Sequence, residues 1–283
     1  MTIILHNPLS KNKKSKRVTK KLVDYYKKNN LPFRVKSLLK IKDLEAYLTG
    51  KPDDNNIIIL GGDGTINTFI NDTFNYNIKQ PLYLKKSGSG NDFLRSLKKQ
   101  KTNHQYILKL VHNGKTRYFI NGAGMGIDGE IGYRVNQSKN KRKLNYLINT
   151  VKSLISFKPK FLEITIDGAP YTFKKAYLVN ANNGKFIGGG MKLTPKAQID
   201  EPNFDVLIVH RGNKFLLLLI FLSVYLGLHT YVKRYVFTTK AKHIKATMFS
   251  KQIAQCDGEC FLDTQEIEVS VTDKKVYFTP YHK

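Results

Sequence analysis

Ile57-Ile58-Ile59-Leu60-Gly61-Gly62-Asp63-Gly64-Thr65-Ile66-Asn67 runs an apolar stretch straight into three glycines, a carboxylate and a hydroxyl. A short apolar run bounded by glycine reads as a buried strand. Glycine lets the chain turn sharply and lets a ligand approach main-chain N–H groups. Asn67 to Asp72 carries apolar residues at helical spacing, which predicts a helix starting at or near Thr65. A strand, a glycine turn and a helix N-terminus in succession form a natural phosphate site. The competing reading is a tight turn that holds no ligand.

Strand-like and helix-like segments alternate on either side of this stretch. Strands are expected at Thr2–His6, Phe33–Leu38, Asn56–Leu60 and Pro81–Leu84, and helices at Ser15–Asn29, Asp43–Leu48 and from Thr65. That βαβαβαβ order predicts a parallel sheet covered by helices on both faces, a three-layer α/β domain. Ligands of such sheets gather beyond the carboxyl ends of the strands. Asn7-Pro8, Ser37, Gly61–Asn67 and Ser87–Asp92 all follow strands, so all four can serve one crevice.

The texture changes after about Lys115. Arg117–Asn121, Phe161–Asp167, Tyr171–Asn180, Phe204–His210, Val232–Thr238, His243–Met248 and Ile267–Thr272 read as strands, several with alternating polarity. Asp167-Gly168 is a hairpin turn signal. Lys141–Phe157 and Lys214–Leu228 interrupt as helices. The expectation is a second, mainly antiparallel β-sandwich domain.

The 283 residues suffice for one large or two ordinary domains. Lys and Arg number 48 against 21 Asp and Glu, a formal net charge of +27. Such a balance favours anionic partners: lipid headgroups, nucleic acid or phosphorylated small molecules. Two cysteines, Cys256 and Cys260, do not make a disulfide framework, and with scattered histidines they offer no zinc pattern. They read as free thiols of a reducing, cytoplasmic setting. Met1–Leu5 lacks the basic leader of a signal peptide and reads as the first strand. Phe215–Leu228 falls short of a bilayer span and reads as a buried or interface helix.

Three further segments bear on chemistry. In Ser87-Gly88-Ser89-Gly90-Asn91-Asp92-Phe93, Asn91 or Asp92 can cap a following helix and Ser89 can bond a phosphate; a plain capped turn is the alternative. Asn121-Gly122-Ala123-Gly124-Met125-Gly126-Ile127-Asp128-Gly129-Glu130 only superficially matches a dinucleotide fingerprint, because it lies outside any βαβ unit. A close backbone approach between domains, with Asp128 in the cleft, suits it better. Cys256-Asp257-Gly258-Glu259-Cys260 sets two carboxylates around a glycine. Such groups accept a hydroxyl proton or hold Mg²⁺, unless this is a hairpin turn with solvated acids.

In this order the motifs resemble the diacylglycerol kinase catalytic-domain family, notably its soluble bacterial lipid kinases. Gly-Gly-Asp-Gly-Thr stands intact at 61–65, Gly-Ser-Gly-Asn-Asp-Phe at 88–93, a glycine-rich run ending in aspartate at 122–128, Gly-Gly-Gly at 188–190 before Pro195-Lys196-Ala197, and Asp-Gly-Glu at 257–259. The resemblance covers nearly the whole chain. It implies a Rossmann-like first domain of NAD-kinase and diacylglycerol-kinase type (1–116 plus 275–283) and a β-sandwich lipid-substrate domain (117–274). It also implies ATP and Mg²⁺ as cofactors, with ATP in the cleft and a lipid hydroxyl as acceptor, diacylglycerol first. Asn7, Pro8, Leu9, Ser10 and Lys11 match the family's first nucleotide loop, and Ser37 a hydroxyl after its second strand. Gly61, Gly62, Asp63, Gly64, Thr65, Ile66, Asn67, Ser89, Asn91 and Asp92 complete the implied ATP site, where Asp63 either positions Mg²⁺ through water or orders the loop. Glu259 matches the proton acceptor and Asp257 its neighbour. A further Mg²⁺ site of the family falls on Gln198, Glu201 and Asn203.

The chain departs from the family at three places, one of them Ser89, which replaces a threonine and keeps the hydroxyl. Lys11 replaces a usual glycine. Asp200-Glu201-Pro202 stands where an acid or amide is followed by Asp-Gly, and proline cannot take the positive φ of glycine. Basic clusters at Lys13, Lys14, Lys16, Arg17, Lys20 and Lys21, and at Lys139, Lys141, Arg142 and Lys143, suit a peripheral contact with an anionic inner membrane face. A homodimer stays open. Two other readings are an NAD kinase-like enzyme, against which Gly88–Phe93 weighs, and a non-catalytic basic membrane- or nucleic-acid-binding module. The latter leaves Asp257 and Glu259 without a role, and no RNA-binding motif is seen, so no nucleic acid is expected.

Overall fold

The computed structural model describes residues 1–10, 14–88, 90–137 and 143–282. It divides into two compact units, Met1–Gln105 with Lys275–Lys283, and Tyr106–Lys274. Residues 106–116 thus group with the second unit.

In the first unit, β1 (Thr2–His6), α1 (Lys14–Lys28), β2 (Phe33–Ser37), α2 (Leu44–Thr49), β3 (Asn56–Gly61), α3 (Asp63–Thr73), β4 (Leu82–Lys86) and α4 (Asp92–Leu97) alternate. The strands are parallel, in the order β4-β3-β1-β2. Ile3, Ile4, Leu5 and Ile57–Leu60 are almost wholly buried, as continuous apolar runs are in a sheet covered on both faces. Leu22 and Tyr26 of α1 pack against Ile4, Ile58 and Leu60. On α1, Lys16, Arg17, Lys20 and Lys21 are exposed, whereas Lys13, Lys139, Lys141 and Arg142 lie outside the described residues.

The second unit contains β5 (Gln105–His112), β6 (Lys115–Phe119), β7 (Gly122–Gly126), α5 (Ile127–Gln137), α6 (Lys143–Ser156), β8 (Lys160–Ile166), β9 (Ala169–Asn182), β10 (Phe204–His210), α7 (Lys214–Val224), β11 (Val236–Ala241), β12 (His243–Cys256) and β13 (Glu259–Val276). Its strand pairings are antiparallel, in the order β11-β10-β9-β7-β12-β13-β5-β6. β8 pairs with one end of β9 and of β12, while β7 pairs with the other end of each. Two long strands therefore feed both layers. The register of β12 shifts between Thr247 and Ala254, and such a bulge bends a strand from one layer toward the other. The side chains between the layers, among them Phe119, Met125, Leu162, Phe204, Ile244 and Val269, form the core. The Asp167-Gly168 hairpin joins β8 to β9, with both residues at positive φ.

The apolar segment from Phe215 is buried on one face only. Leu217 and Ile220 pack with Leu207, Val209 and Val236, while Phe215 is 70% exposed and Leu226 69%. No helix among the described residues is long and apolar enough to cross a membrane. The final strand, β14 (Phe278–Pro280), pairs in parallel with β4 and completes the first sheet. Phe278 packs edge-on against Phe69 and Phe93, and Gln105 bonds its backbone N–H and C=O.

Candidate active site

The carboxyl ends of four adjacent parallel strands carry the expected nucleotide residues. Asn7 follows β1; its side chain accepts from Leu9 N (3.0 Å) and donates to Thr65 Oγ1 (3.4 Å). Pro8 and Ser10 are half-buried and Leu9 is exposed in that loop; Ser37 ends β2. Gly61 ends β3, Gly62 precedes α3, and Asp63, Gly64 and Thr65 form its first turn. Ile66 is buried in the core and Asn67 is half-buried on α3. Asn91 precedes α4 and Asp92 opens it. Lys11 and Ser89 lie outside the described residues.

The two glycine loops lie backbone against backbone. A Cβ on Gly88 would sit 2.5 Å from Gly62 Cα, and one on Gly62 would sit 2.8 Å from the Gly90 carbonyl oxygen. Ser87 N and Gly88 N both donate to the Gly61 carbonyl (3.0 and 3.2 Å). Asp63 spans the two loops, accepting from Asp92 N (2.9 Å) and Phe93 N (3.1 Å). The sequence pointed to Asn91 or Asp92 as the cap of α4. Instead Asn91 makes no side-chain cap bond, Asp92 pairs with Arg95 (3.0 Å), and Asp63 caps the helix from 30 residues away. These two bonds order the loop, one of the two roles open to Asp63.

Around these strand ends, His6 Nδ1, Ser10 Oγ, Ser37 Oγ and Ser87 Oγ are buried and have no hydrogen-bond partner among the described residues. Burial lowers the pKa of His6, favouring the neutral ring. Buried polar atoms are ordinarily bonded, so this group of donors and acceptors suits a polar ligand such as a nucleotide.

In the second unit, Cys256-Asp257-Gly258-Glu259 is the tight hairpin between β12 and β13, with Asp257 and Gly258 at positive φ (48° and 90°). The Asp257 carboxylate accepts three backbone N–H bonds, from Ile120 (2.9 Å), Asn121 (2.9 Å) and Gly122 (3.0 Å). Asp257 N returns a bond to the Gly122 carbonyl (2.9 Å). The hairpin is thereby fastened to the start of β7. Glu259 projects from it, 52% exposed, with Arg117 Nε 3.5 Å away.

The glycine-rich segment 121–130 is strand β7 and the start of α5, and the partners of its glycines all lie in the second unit. Cβ atoms on Gly124, Gly126 and Gly129 would sit 2.3, 2.5 and 2.0 Å from the carbonyl oxygens of Val179, Tyr177 and Ile253. The expected approach between domains is instead an approach of β7 and α5 to β9 and β12. Asp128 accordingly lies against this unit's own strands, accepting from Asn180 Nδ2 and from Gln255 Nε2 (3.2 Å). Burial pushes its carboxyl up to about 6, against the lowering effect of those bonds. Gln255, which sequence reasoning missed, also accepts from Gly258 N (3.2 Å) and so ties Asp128 to the hairpin of Glu259.

The three positions expected to hold a further Mg²⁺ are bonded to one another. Glu201 takes a bond from the Gln198 amide on one carboxylate oxygen and one from Lys240 Nζ on the other, and Asn203 also bonds it. The Gln198 backbone carbonyl, through which the family's pattern would have that residue bind an ion, accepts from Glu201 N (3.3 Å). N–H donors face the carboxylate where a cation would have to sit, and no grouping of His, Cys, Asp and Glu among the described residues suits a metal. These residues do not fit a divalent ion.

A parallel α/β unit with paired glycine loops at its strand ends, followed by an antiparallel sandwich, is the architecture of the NAD kinase and diacylglycerol kinase class. The family model described as "Diacylglycerol kinase catalytic domain" matches residues 1–121, and "YegS C-terminal NAD kinase beta sandwich-like domain" matches residues 122–272. A diacylglycerol kinase of Bacillus subtilis (strain 168) is 30% identical over 217 residues, 72% of this chain and 70% of that one. A candidate lipid kinase of Staphylococcus aureus (strain MSSA476) is 28% identical over 148 residues, 48% of each chain. A solved structure of a candidate diacylglycerol kinase from Bacillus anthracis (strain Sterne) superposes with a TM-score of 0.70 at 20% identity, covering 98% of this chain and 96% of that one; this likeness shows the fold alone. The chain belongs to the diacylglycerol kinase catalytic-domain family and is a lipid kinase.

Proposed function

We propose that the chain transfers the γ-phosphoryl group of ATP to a lipid hydroxyl, with diacylglycerol the first candidate and phosphatidic acid the product. The hydroxyl oxygen bonds to the γ-phosphorus as the bond to the β,γ-bridging oxygen breaks and ADP leaves. Glu259 takes the hydroxyl proton. The observation that carries this reading is the hairpin of Glu259: Asp257 spends its carboxylate on three main-chain amides and so holds Glu259 at a fixed, solvent-reachable place. The main-chain amides of Gly61–Thr65 hold the phosphates, and Ser10, Ser37 and Ser87 supply hydroxyls near them. A Mg²⁺ ion bound with the nucleotide would supply neutralisation of phosphate charge. Positioning and charge stabilisation supply most of the acceleration in phosphoryl transfer.

The test offers labelled ATP, Mg²⁺ and a panel of dispersed diacylglycerol, phosphatidylglycerol, ceramide, polyprenol and NAD. Label is expected in phosphatidic acid. Label in NAD alone would replace this reading with a soluble nucleotide kinase.

The partner surface follows from the same reading. α7 and the turn after it expose Phe215, Leu219, Leu222, Tyr225, Leu226, Leu228 and Tyr231. Between Asp205 and Asp257 the chain has no acidic residue and eight Lys or Arg. Lys158, Lys160 and Lys251 line a cavity of about 470 Å³ together with Glu130 and Asp263, the latter 3.6 Å from Lys251. An exposed apolar face on a strongly basic chain suits an anionic leaflet, each basic residue near the surface contributing about 1 kcal/mol. We assign this face to peripheral membrane contact.

A further inference from the structure

We infer that Lys240 is a built-in counter-cation, and that its ammonium does for the Glu201 turn what a bound divalent ion would otherwise do. The inference concerns the second unit alone and holds whichever lipid is the acceptor.

Three observations carry it. The first is placement. Lys240 on β11 lies directly opposite Asp205 on β10 in the antiparallel register, which brings its long side chain beside the turn that precedes β10. From there Nζ reaches one carboxylate oxygen of Glu201, and Asp205 faces the same ammonium. The second is the set of groups around that carboxylate. The Gln198 amide donates to the other oxygen, Asn203 bonds it too, and the Gln198 backbone carbonyl accepts from Glu201 N (3.3 Å). Mg²⁺ demands near-ideal octahedral oxygen coordination. Here the Lys240 ammonium already faces the Glu201 and Asp205 carboxylates, so an entering ion would have to displace it. The third is the backbone. Pro202 cannot adopt a positive φ, so the turn lacks the freedom that glycine gives an ion-binding loop. Lysine is also tethered, whereas an ion must be drawn from solution. The turn between Gln198 and Phe204 therefore keeps its shape at any divalent concentration.

The experiment uses the whole 283-residue chain, free of nucleotide. Mn²⁺ binding is followed by electron paramagnetic resonance, and thermal melting is compared in EDTA and in excess Mg²⁺. The wild type is expected to melt at the same temperature in both and to bind no Mn²⁺ that Glu201→Gln removes. Lys240→Met is expected to melt lower in EDTA, to recover in Mg²⁺ and to bind Mn²⁺ at a site that adding Glu201→Gln abolishes. Lys240→Arg, which keeps the charge, is expected to retain wild-type melting in EDTA. Should Lys240→Met fail to fold, the double variant Lys240→Met with Glu201→Gln removes both charges and is expected to fold and to ignore divalent ions. The inference is overturned if the wild type binds Mn²⁺ at a site lost in Glu201→Gln. It is equally overturned if Lys240→Met melts like the wild type in EDTA.

Discussion

Asp257 and Glu259 sit two positions apart and do different work. Asp257→Ala strips the acceptor from three amides, and bonds to an ionised group contribute about 1.5–3 kcal/mol each. A loss of about 3 kcal/mol or more is expected in urea unfolding. Glu259→Gln removes an exposed carboxylate whose ion pair with Arg117 adds little stability. Its unfolding midpoint should stay put, while kcat falls by about 10²–10⁴ and KM for ATP holds. A Glu259→Gln enzyme with wild-type kcat would remove Glu259 from the reaction. Asp128 sets a pH dependence of opposite sign to that of a salt-bridged acid. Its folded pKa is raised to about 6, so the folded state binds the extra proton between roughly pH 4 and 6. Stability from this group is greatest below that window and is lost as pH rises through it. Asp128→Asn should flatten that part of the melting profile, and an unchanged slope would show that other groups set it.

At the scale of elements, the glycine loops make a contrast between two like substitutions. Gly88→Ala drives a Cβ to 2.5 Å from Gly62 Cα, so one main chain must move. A cost of about 3 kcal/mol is expected. Gly64→Ala points into open space and should melt like the wild type. Equal melting of both variants would mean that the loops can part without penalty. The parallel sheet was legible because Ile57–Leu60 and Thr2–His6 are buried on both faces and glycine ends the central strand. The Asp167-Gly168 hairpin was legible from the residues its φ values demand, whereas at Asp257-Gly258 a hairpin was only the alternative reading, and its expected solvated Asp257 is bonded to three amides instead. Strand β7 was not. Gly-Ala-Gly-Met-Gly has little strand propensity and is extended because β9 lies too close for side chains. The cap of Asp63 on α4 and the reach of Lys240 to Glu201 were hidden for another reason. Both join groups about 30 to 40 residues apart, which no local pattern records. The outward face of α7 was hidden too, because its residues are apolar all round and periodicity cannot say which side is covered.

At the scale of the whole molecule, an excess of 27 positive charges predicts attraction to acidic bilayers that weakens with salt. The chain contains no Trp, so one introduced indole reports its own surroundings. Phe215→Trp should shift its emission to the blue on vesicles rich in phosphatidylglycerol and be quenched by brominated acyl chains, with neither effect on phosphatidylcholine alone. Leu39→Trp, at an exposed position of the first unit, should show neither effect. Equal quenching of both indoles would move the contact away from α7. The return of β14 to the edge beside β4 bears on biogenesis. Phe278, wedged against Phe69 and Phe93, is synthesised long after the strands it joins. While the ribosome is still building the sandwich, the first unit waits with one hydrophobic seat unfilled and one sheet margin bare, a window in which a holding chaperone would find its client.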